Sequence, residues 1–379
     1  MNFVAMQMLR KDRVKYLGLI MAVAFSTFLM SNQSSIFAGI MNRGRSQILD
    51  IQDADIWVMD PRTQYFDEVK ALPDDVLYRV RGVEGVEWAV PLYKGQAVAR
   101  SGDGNFRSVL LIGVDDDSLV GAPRRLMAGS IAALRQPDAV LIDYAAYAFF
   151  FPGEPVETGK TFELNDHRTT VAGVVDSSAP FSNLPVFYAR YGNAIRYRGQ
   201  ERNMMSFVLA KAKSGVSDRE VCRRIEAATG LHAATKDEFG WQTIKYYLKH
   251  SGIAVNFGIT ITIGLIVGTL VAGQTFYLFT IENLKQFGVL KAVGVTNGRV
   301  VRMILLQSVT VGAIGYSIGI LATAAFFEVT RKTIDLRGFY LLWQIAAGTA
   351  AAVLMIVILA SLMSIRKALV LEPAMVFRG

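Results

Sequence analysis

One cysteine, Cys222, and three histidines, His167, His232 and His250, are spread through 379 residues. A lone thiol closes no internal disulfide, and no CxxC pair exists for metal or redox chemistry, so Cys222 reads as a small apolar filler on a helix. No histidine falls in an HExxH pattern, which leaves zinc without a motif, and no G-x-S-x-G elbow marks a serine hydrolase. Charge is scarce as well: 19 % of residues are charged, against about 25 % in ordinary soluble chains. What is plentiful is apolar side chain, 52 %, with a mean hydropathy of +0.32. That excludes disorder and collagen, yet the excess is too small for a chain buried in lipid throughout. Spanning helices plus a sizeable water-facing domain are expected. Lys and Arg outnumber Asp and Glu by 40 to 32, a net charge of +8. No basic stripe is interleaved with aromatics, so nucleic acid is set aside as a partner.

Spanning a bilayer takes about 20 largely apolar residues with almost no charge. Four stretches qualify: residues 16–40, 252–280, 303–327 and 339–364. The first has a polar outer part, Ser31-Asn32-Gln33-Ser34-Ser35. Between the first and second lies a long segment of ordinary soluble composition. Basic residues set the orientation. Arg10, Lys11, Arg13 and Lys15 precede the first helix, Lys285, Lys291, Arg299 and Arg302 separate the second from the third, and Arg366, Lys367 and Arg378 follow the fourth. In the third-to-fourth loop, Arg331, Lys332 and Arg337 are offset by Glu328 and Asp335. Short basic flanks stay in the cytoplasm, so both termini are expected inside and the large domain outside, with Tyr340 and Trp343 anchoring the outer interface. A cleaved signal peptide is the rival at the N-terminus, but Ile36-Phe37-Ala38 puts a large residue where cleavage wants a small one. Phe3, Met6 and Leu9 recur at helical spacing, so residues 2–13 read either as an amphipathic helix on the inner membrane surface, in contact with membrane lipid, or as an extension of the first span.

The expected organisation is therefore residues 1–43, 44–245 and 246–379, a membrane α-helical protein with a large α+β extracytoplasmic domain between helices 1 and 2. Strands are predicted over 55–59, 86–90, 108–114, 139–142, 169–175 and 205–210, and helices over 73–81 and 217–229. Ser217 and Glu220 have the spacing of a capping box. The strands do not alternate with long helices, which favours α+β over a doubly wound sheet. Gly153 to Thr161, GEPVETGKT, imitates a phosphate loop but has one residue too many between its glycines, and Pro155 removes a donor. It reads as a turn into a strand. Asp115-Asp116-Asp117 lacks the alternating ligands and glycine of an EF-hand loop and reads as a solvated turn. No catalytic, cofactor or metal residue emerges. Residues 241–250 lack Gly and Pro, so a rigid helical stalk is expected to run straight into the second span.

The informative segment is 280–302, TIENLKQFGVLKAVGVTNGRVVR. Ile281, Leu284, Phe287 and Leu290 recur every three residues while Glu282, Lys285 and Lys291 stand between them, which predicts a short amphipathic helix. Gly288 lies within it, Gly294 is placed to end it, and Thr296 to cap the next span. These residues are the expected docking surface for a partner, with lipid as the alternative occupant of the apolar stripe. Charges are absent from the spans, which argues against an ion pathway. Asn256, Gln274 and Gln307 can hydrogen-bond between helices, and the Gly264/Gly268 and Gly315/Gly319 spacings allow close helix approach within or between chains.

The stretch FGVLKAVGVTNGRVVRMILLQS (residues 287–308) and the tail SIRKALVLEPAMVFRG (364–379) resemble the FtsX/MacB family of ABC-transporter permeases. The one-plus-three layout matches too, most closely that of the DevC-like permeases, which lack a fused ATPase domain. The resemblance implies a bacterial inner-membrane permease, dimeric and here favoured as a homodimer, with two copies of an ABC ATPase subunit docked beneath it at Ile281–Gly294. ATP and Mg would be bound by that partner, and this chain would carry no cofactor. It further implies ATP-driven motion relayed to the outside domain for export or extraction of a substrate, with a periplasmic adaptor. The alternative is an FtsX-like signalling module that activates an extracytoplasmic hydrolase without transport.

Overall fold

The computed structural model describes residues 2–11, 13–102, 104–198, 205–331, 333 and 336–370. The closing motif with Pro373, Ala374 and Arg378, and Lys332 and Asp335 of the third-to-fourth loop, lie outside them. The chain starts with α1 (Asn2–Lys11) and α2 (Arg13–Asp50), then β1 (Ile56–Met59), α3 (Asp75–Arg81), β2 (Val86–Arg100), β3 (Phe106–Val114) and β4 (Leu126–Gly129). It continues through β5 (Ala139–Asp143), α4 (Tyr144–Phe150), β6 (Thr161–Leu164), β7 (His167–Val175), β8 (Val186–Arg190) and α5 (Tyr191–Arg198). β9 (Phe207–Ala212), α6 (Asp218–Thr229), β10 (His232–Thr235) and α7 (Lys236–His250) follow, and then α8 (Ile253–Glu282), α9 (Leu284–Ala292), α10 (Asn297–Thr330) and α11 (Trp343–Val370). Two compact units result: Met1–Gly39 with Ile253–Gly379, and Ile40–Gly252. Four helices are long and apolar enough to cross a membrane, α2, α8, α10 and α11.

The inserted unit is α+β. Its ten strands form one mixed sheet in the order β10-β1-β9-β2-β3-β8-β5-β7-β4, with β6 pairing both β2 and β7. The pairs β3–β8 and β5–β7 are parallel and the others antiparallel. Because β6 joins β2 through Arg100↔Glu163 and β7 through Leu164↔His167, the strands β2-β3-β8-β5-β7-β6 close on themselves. Alternate side chains then point into one small core containing Val109, Leu111, Ile142, Phe162 and Phe187, sealed by Tyr147 and Phe150 of α4. The rest of the sheet stays open. One face packs on α3 and α6 through Val76, Val80, Val221 and Ile225. The other buries Trp57, Phe66, Phe207 and Phe239, whose rings meet at 5.4–6.3 Å.

Two local expectations are corrected here. Ser217 is the N-cap residue of α6, but its side chain makes no cap bond, and Glu220 instead pairs with Arg223 and Arg224. The reciprocal capping box belongs to α7, where Thr235 Oγ1 accepts from the Glu238 amide and Glu238 accepts from that of Thr235. The stalk expectation is also revised. α7 covers residues 241–250 but stops at His250: the Ser251 amide donates back to Tyr247, and Gly252 takes a positive φ of 67° before α8 begins. A break after the helix, rather than a continuous rod, joins the two segments.

A buried polar network ties α7 into its own unit. Lys94 Nζ donates to Asp67 Oδ1 at 2.5 Å and to the Phe66 carbonyl at 3.1 Å, and Tyr247 donates to the other carboxylate oxygen at 2.5 Å. Burial holds the Lys94 ammonium below its ordinary range despite Asp67, and burial beside that carboxylate pushes the Tyr247 phenol up.

In the helical unit, every span contributes to one core. Val23 and Met30 of α2, Phe276 and Phe279 of α8, Met303 and Val311 of α10, and Ile356 and Ala360 of α11 are all buried in it. The N-terminal helix belongs there as well: Ala5 and Leu9 are fully buried, and Gln307 of α10 donates to the Ala5 carbonyl at 2.7 Å. Its buried face meets protein, while Phe3, Val4 and Gln7 are exposed.

Candidate functional site

The segment between α8 and α10 is built by two chain reversals. The Asn283 side chain donates to its own helix at Phe279 O, 2.7 Å, and the Asn283 backbone carbonyl accepts from the Phe287 amide at 3.1 Å, so α8 ends and α9 starts there. Ile281 and Glu282 therefore belong to α8, while Leu284, Lys285, Phe287, Gly288, Leu290 and Lys291 belong to α9. Gly294 ends the helix as expected: at φ 96° its amide donates to Lys291 O, and the Val295 amide reaches Leu290 O, the two bonds of a Schellman motif. Val295 and Leu290 both pack on the core beneath. Thr296 sits at the cap of α10, but the bonds made there come from its carbonyl, not its hydroxyl.

The apolar stripe predicted from the sequence does not form one outward face. A three-residue step on an α-helix falls about 60° short of a full turn, so Ile281 to Leu290 drifts roughly half-way round. The break at Asn283 separates them further. Phe287 is fully buried in the core formed with Phe276, Phe279, Val300 and Ile304, and Gly288 is buried beside it. Ile281, Leu284 and Leu290 are half-buried. Phe287 is thus a core residue of this chain and presents no surface to a partner. Glu282 pairs with Lys15 of α2, and Lys291 Nζ donates to Leu369 O of α11 at 3.0 Å, so both charges tie the loop to its own chain.

What α9 and its C-cap residue Val293 expose is the opposite stripe: Lys285, Val289 and Val293, four residues apart, with Ala292 beside them. Val289 is 49 % exposed and Val293 81 %. Arg299 and Arg302 are exposed on the first turns of α10. Two valines held outward on a helix whose other face is locked into the protein form a rigid apolar platform bordered by basic side chains. The sequence carries this i, i+4 spacing beside the three-residue repeat, and the repeat belongs to the buried face.

The glycine pairs are placed unambiguously. A Cβ on Gly264 would lie 3.4 Å from Met30, and one on Gly268 2.8 Å from Ser26 Cβ, both on α2. A Cβ on Gly315 would lie 2.7 Å from Val23, and one on Gly319 2.6 Å from the Ala24 carbonyl oxygen, again on α2. Both pairs serve packing within the chain. Ser31 and Thr323 share a buried hydrogen bond of 2.7 Å at the same α2–α10 contact.

In the inserted unit the histidines stay apart. His232 contacts Glu226 at 2.8 Å and Gln242, His250 stacks on Tyr246, and His167 lies against Tyr197. Among the described residues no group of three or more His, Cys, Asp or Glu is arranged to hold a metal. The phosphate-loop imitation runs into β6 at Thr161, and Lys160 pairs with Glu154. Asp115 caps a turn by accepting from the Ser118 amide and hydroxyl.

Comparison with known proteins agrees with this architecture. Residues 17–228 match the model of the MacB-like periplasmic core domain, and residues 258–373 match that of the FtsX-like permease C-terminal region. An uncharacterized ABC transporter permease of Mycobacterium tuberculosis is 23 % identical over 311 residues, 81 % of this chain and 79 % of the relative. One from Methanocaldococcus jannaschii is 20 % identical over 258 residues, 64 % and 62 % of the two chains. Among solved structures, the periplasmic region of MacB from Actinobacillus actinomycetemcomitans aligns at 17 % identity and a TM-score of 0.40, covering 52 % of this chain and 95 % of that one. The extracellular domain of YknZ from Gram-positive bacteria aligns at 15 % identity and a TM-score of 0.36, covering 48 % and 98 %. With both family models matched in chain order, this chain belongs to the FtsX/MacB family of ABC transporter permeases.

Proposed function

We propose that this chain is a permease subunit that passes ATP-driven motion from a separate ATPase to its inserted domain, for export or extraction of a substrate. In this reading two ATPase subunits dock beneath a homodimer in the bacterial inner membrane, both termini and α9 face the cytoplasm, and residues 40–252 lie outside and engage a periplasmic adaptor. ATP and Mg belong to the ATPase. The observation that carries the reading is the α9 platform. Val289 and Val293 are offered outward, while Phe287 on the opposite face is buried among side chains of α8 and α10. A push on that platform has no slack to take up before it reaches the spanning core, because close-packed interiors transmit displacement. The basic flank supports a cytoplasmic position for it. The absence of Asp, Glu, Lys and Arg from the middle of the spans favours work done outside the bilayer over an ion path through it.

The FtsX-like signalling alternative shares all of this up to the external partner. Capture of the full chain from native membranes separates them. Recovery of an ATPase with an adaptor is expected. Recovery of an ATPase with a cell-wall hydrolase would replace transport by signalling, and recovery of no ATPase would remove the relay.

A further inference from the structure

Of the four spans, α8 is the least enclosed: 11 % of its apolar window is buried, against 44 % in α2, 39 % in α10 and 33 % in α11. Its buried residues Gly264, Gly268, Ala272, Phe276 and Phe279 cluster on one side, with Gly273 and Thr280 at its edge. The opposite side has a pattern of its own. Asn256, Thr260, Ile263, Val267, Leu270 and Gln274 follow each other at alternating steps of four and three, the spacing that keeps side chains on one seam of a helix. Ile263 is 54 % exposed and Leu270 65 %, and both amides are exposed too. Asn256 and Gln274 are 18 residues apart, about five full turns, so they share one meridian of the helix roughly 27 Å apart along its axis.

The amides need explaining. A carboxamide offers two donors and an acceptor, and hydrocarbon answers neither. Gln307, on α10, is answered within the chain, donating to Ala5 O. Neither Asn256 nor Gln274 finds a side-chain hydrogen bond among the described residues. An amide is self-complementary, since one copy's N–H fits another copy's C=O. In a two-fold dimer whose axis runs along the membrane normal, helices are parallel and residues on the seam meet their own counterparts. We infer that the Asn256–Gln274 seam of α8 is the contact between two copies of this chain, with Ile263, Val267 and Leu270 as its packing core and the amides pairing at its two ends to fix register. The inference rests on the homodimer reading above and adds where the copies meet.

The test uses the full chain in a Cys222→Ala background, co-expressed with two different tags. Ile263→Cys and Leu270→Cys, oxidised in membranes with copper phenanthroline, should each give a disulfide-linked dimer. Thr262→Cys, exposed but about 120° round from the seam centre, should not. Gln274→Leu should leave membrane insertion intact and weaken recovery of one tag by the other about 3- to 30-fold, the range measured for interhelical hydrogen bonds. If the tags co-purify but Thr262→Cys crosslinks in place of the seam positions, the dimer stands and the seam is wrong. If the tags never co-purify and no position crosslinks, the homodimer reading falls and the seam with it. Unchanged recovery with Gln274→Leu overturns the amide pairing.

Discussion

In the proposed reading, docking and folding are separable in α9 because its two faces have different occupants, and a pair of substitutions tests this. Val293 is 81 % exposed and makes the outer edge of the platform, while Phe287 is fully buried on the other side. Covering a valine of that exposure contributes on the order of 1.5–3 kcal/mol if the groove takes it completely. Val293→Asp removes that gain and places a carboxylate where a partner must desolvate it, so the ATPase should bind at least tenfold more weakly, tenfold being about 1.4 kcal/mol. Exposed substitutions usually change stability by no more than about 0.5 kcal/mol, so the thermal midpoint of the detergent-solubilised protein should stay within a degree or two. Phe287→Ala does the reverse. It opens a cavity against Phe279, Val300 and Ile304, and aromatic truncations in cores cost about 3–5 kcal/mol. Set against total stabilities of about 5–15 kcal/mol, that lowers the midpoint by many degrees. The measurements are titrated ATPase capture on immobilised permease and thermal unfolding of each variant. Normal capture by both Val293→Asp and Val289→Asp would refute the platform. A Phe287→Ala protein that melts like the wild type but loses the ATPase would refute the division of faces.

Four other outcomes follow from the geometry. Gly319→Val drives a Cβ into the Ala24 carbonyl and Thr27 and should destabilise the helical unit by about 1–3 kcal/mol or more, whereas Gly348→Ala, with open space around it, should be near neutral by the same melting assay. Gly294→Ala must hold an alanine at φ 96° and should lose about 1–2 kcal/mol from the α9 terminus, read as faster hydrogen exchange in residues 288–294. Burial, helped by the carboxylates Glu238, Asp218 and Glu226, pushes the Cys222 thiol up to about 12. The folded protein therefore keeps this proton where the unfolded chain has lost it, and the thiol's stabilising share is complete below about pH 9 and lost as pH rises toward 12. Denaturant midpoints of wild type and Cys222→Ala should accordingly converge between pH 9 and 10.5, and a constant gap would contradict it. For topology, Ser101 is buried, so Gly102→Cys is the better external probe; with Asn297→Cys as its counterpart, an impermeant maleimide on intact cells should label the first and not the second.

The parts of this molecule that composition and short-range pattern determine were legible in advance. Four spans follow from uncharged apolar runs, and Gly294 could be assigned because only a left-handed position at a helix end calls for glycine so specifically. The ring of strands was not legible, since its closure rests on Arg100 meeting Glu163, a pairing between residues far apart in the chain that no local signal encodes. The glycine pairs gave close approach but not the identity of the approaching helix, which is α2 in both cases. The helix α9, proposed as the docking surface, shows the deeper limit. Reading apolar residues as the buried face presumes that everything apolar finds its cover within the chain. Phe287 does, but Val289 and Val293 do not, and on α8 Ile263 and Leu270 do not either. Surface that is apolar yet set out in register on a rigid helix is what a subunit of a larger assembly must display before its partners arrive. Val289 and Val293 depart from the rule of burying apolar side chains where the proposed function needs them to, at the ATPase platform, whereas the exposed apolar residues of a span need no cover beyond lipid or a second copy.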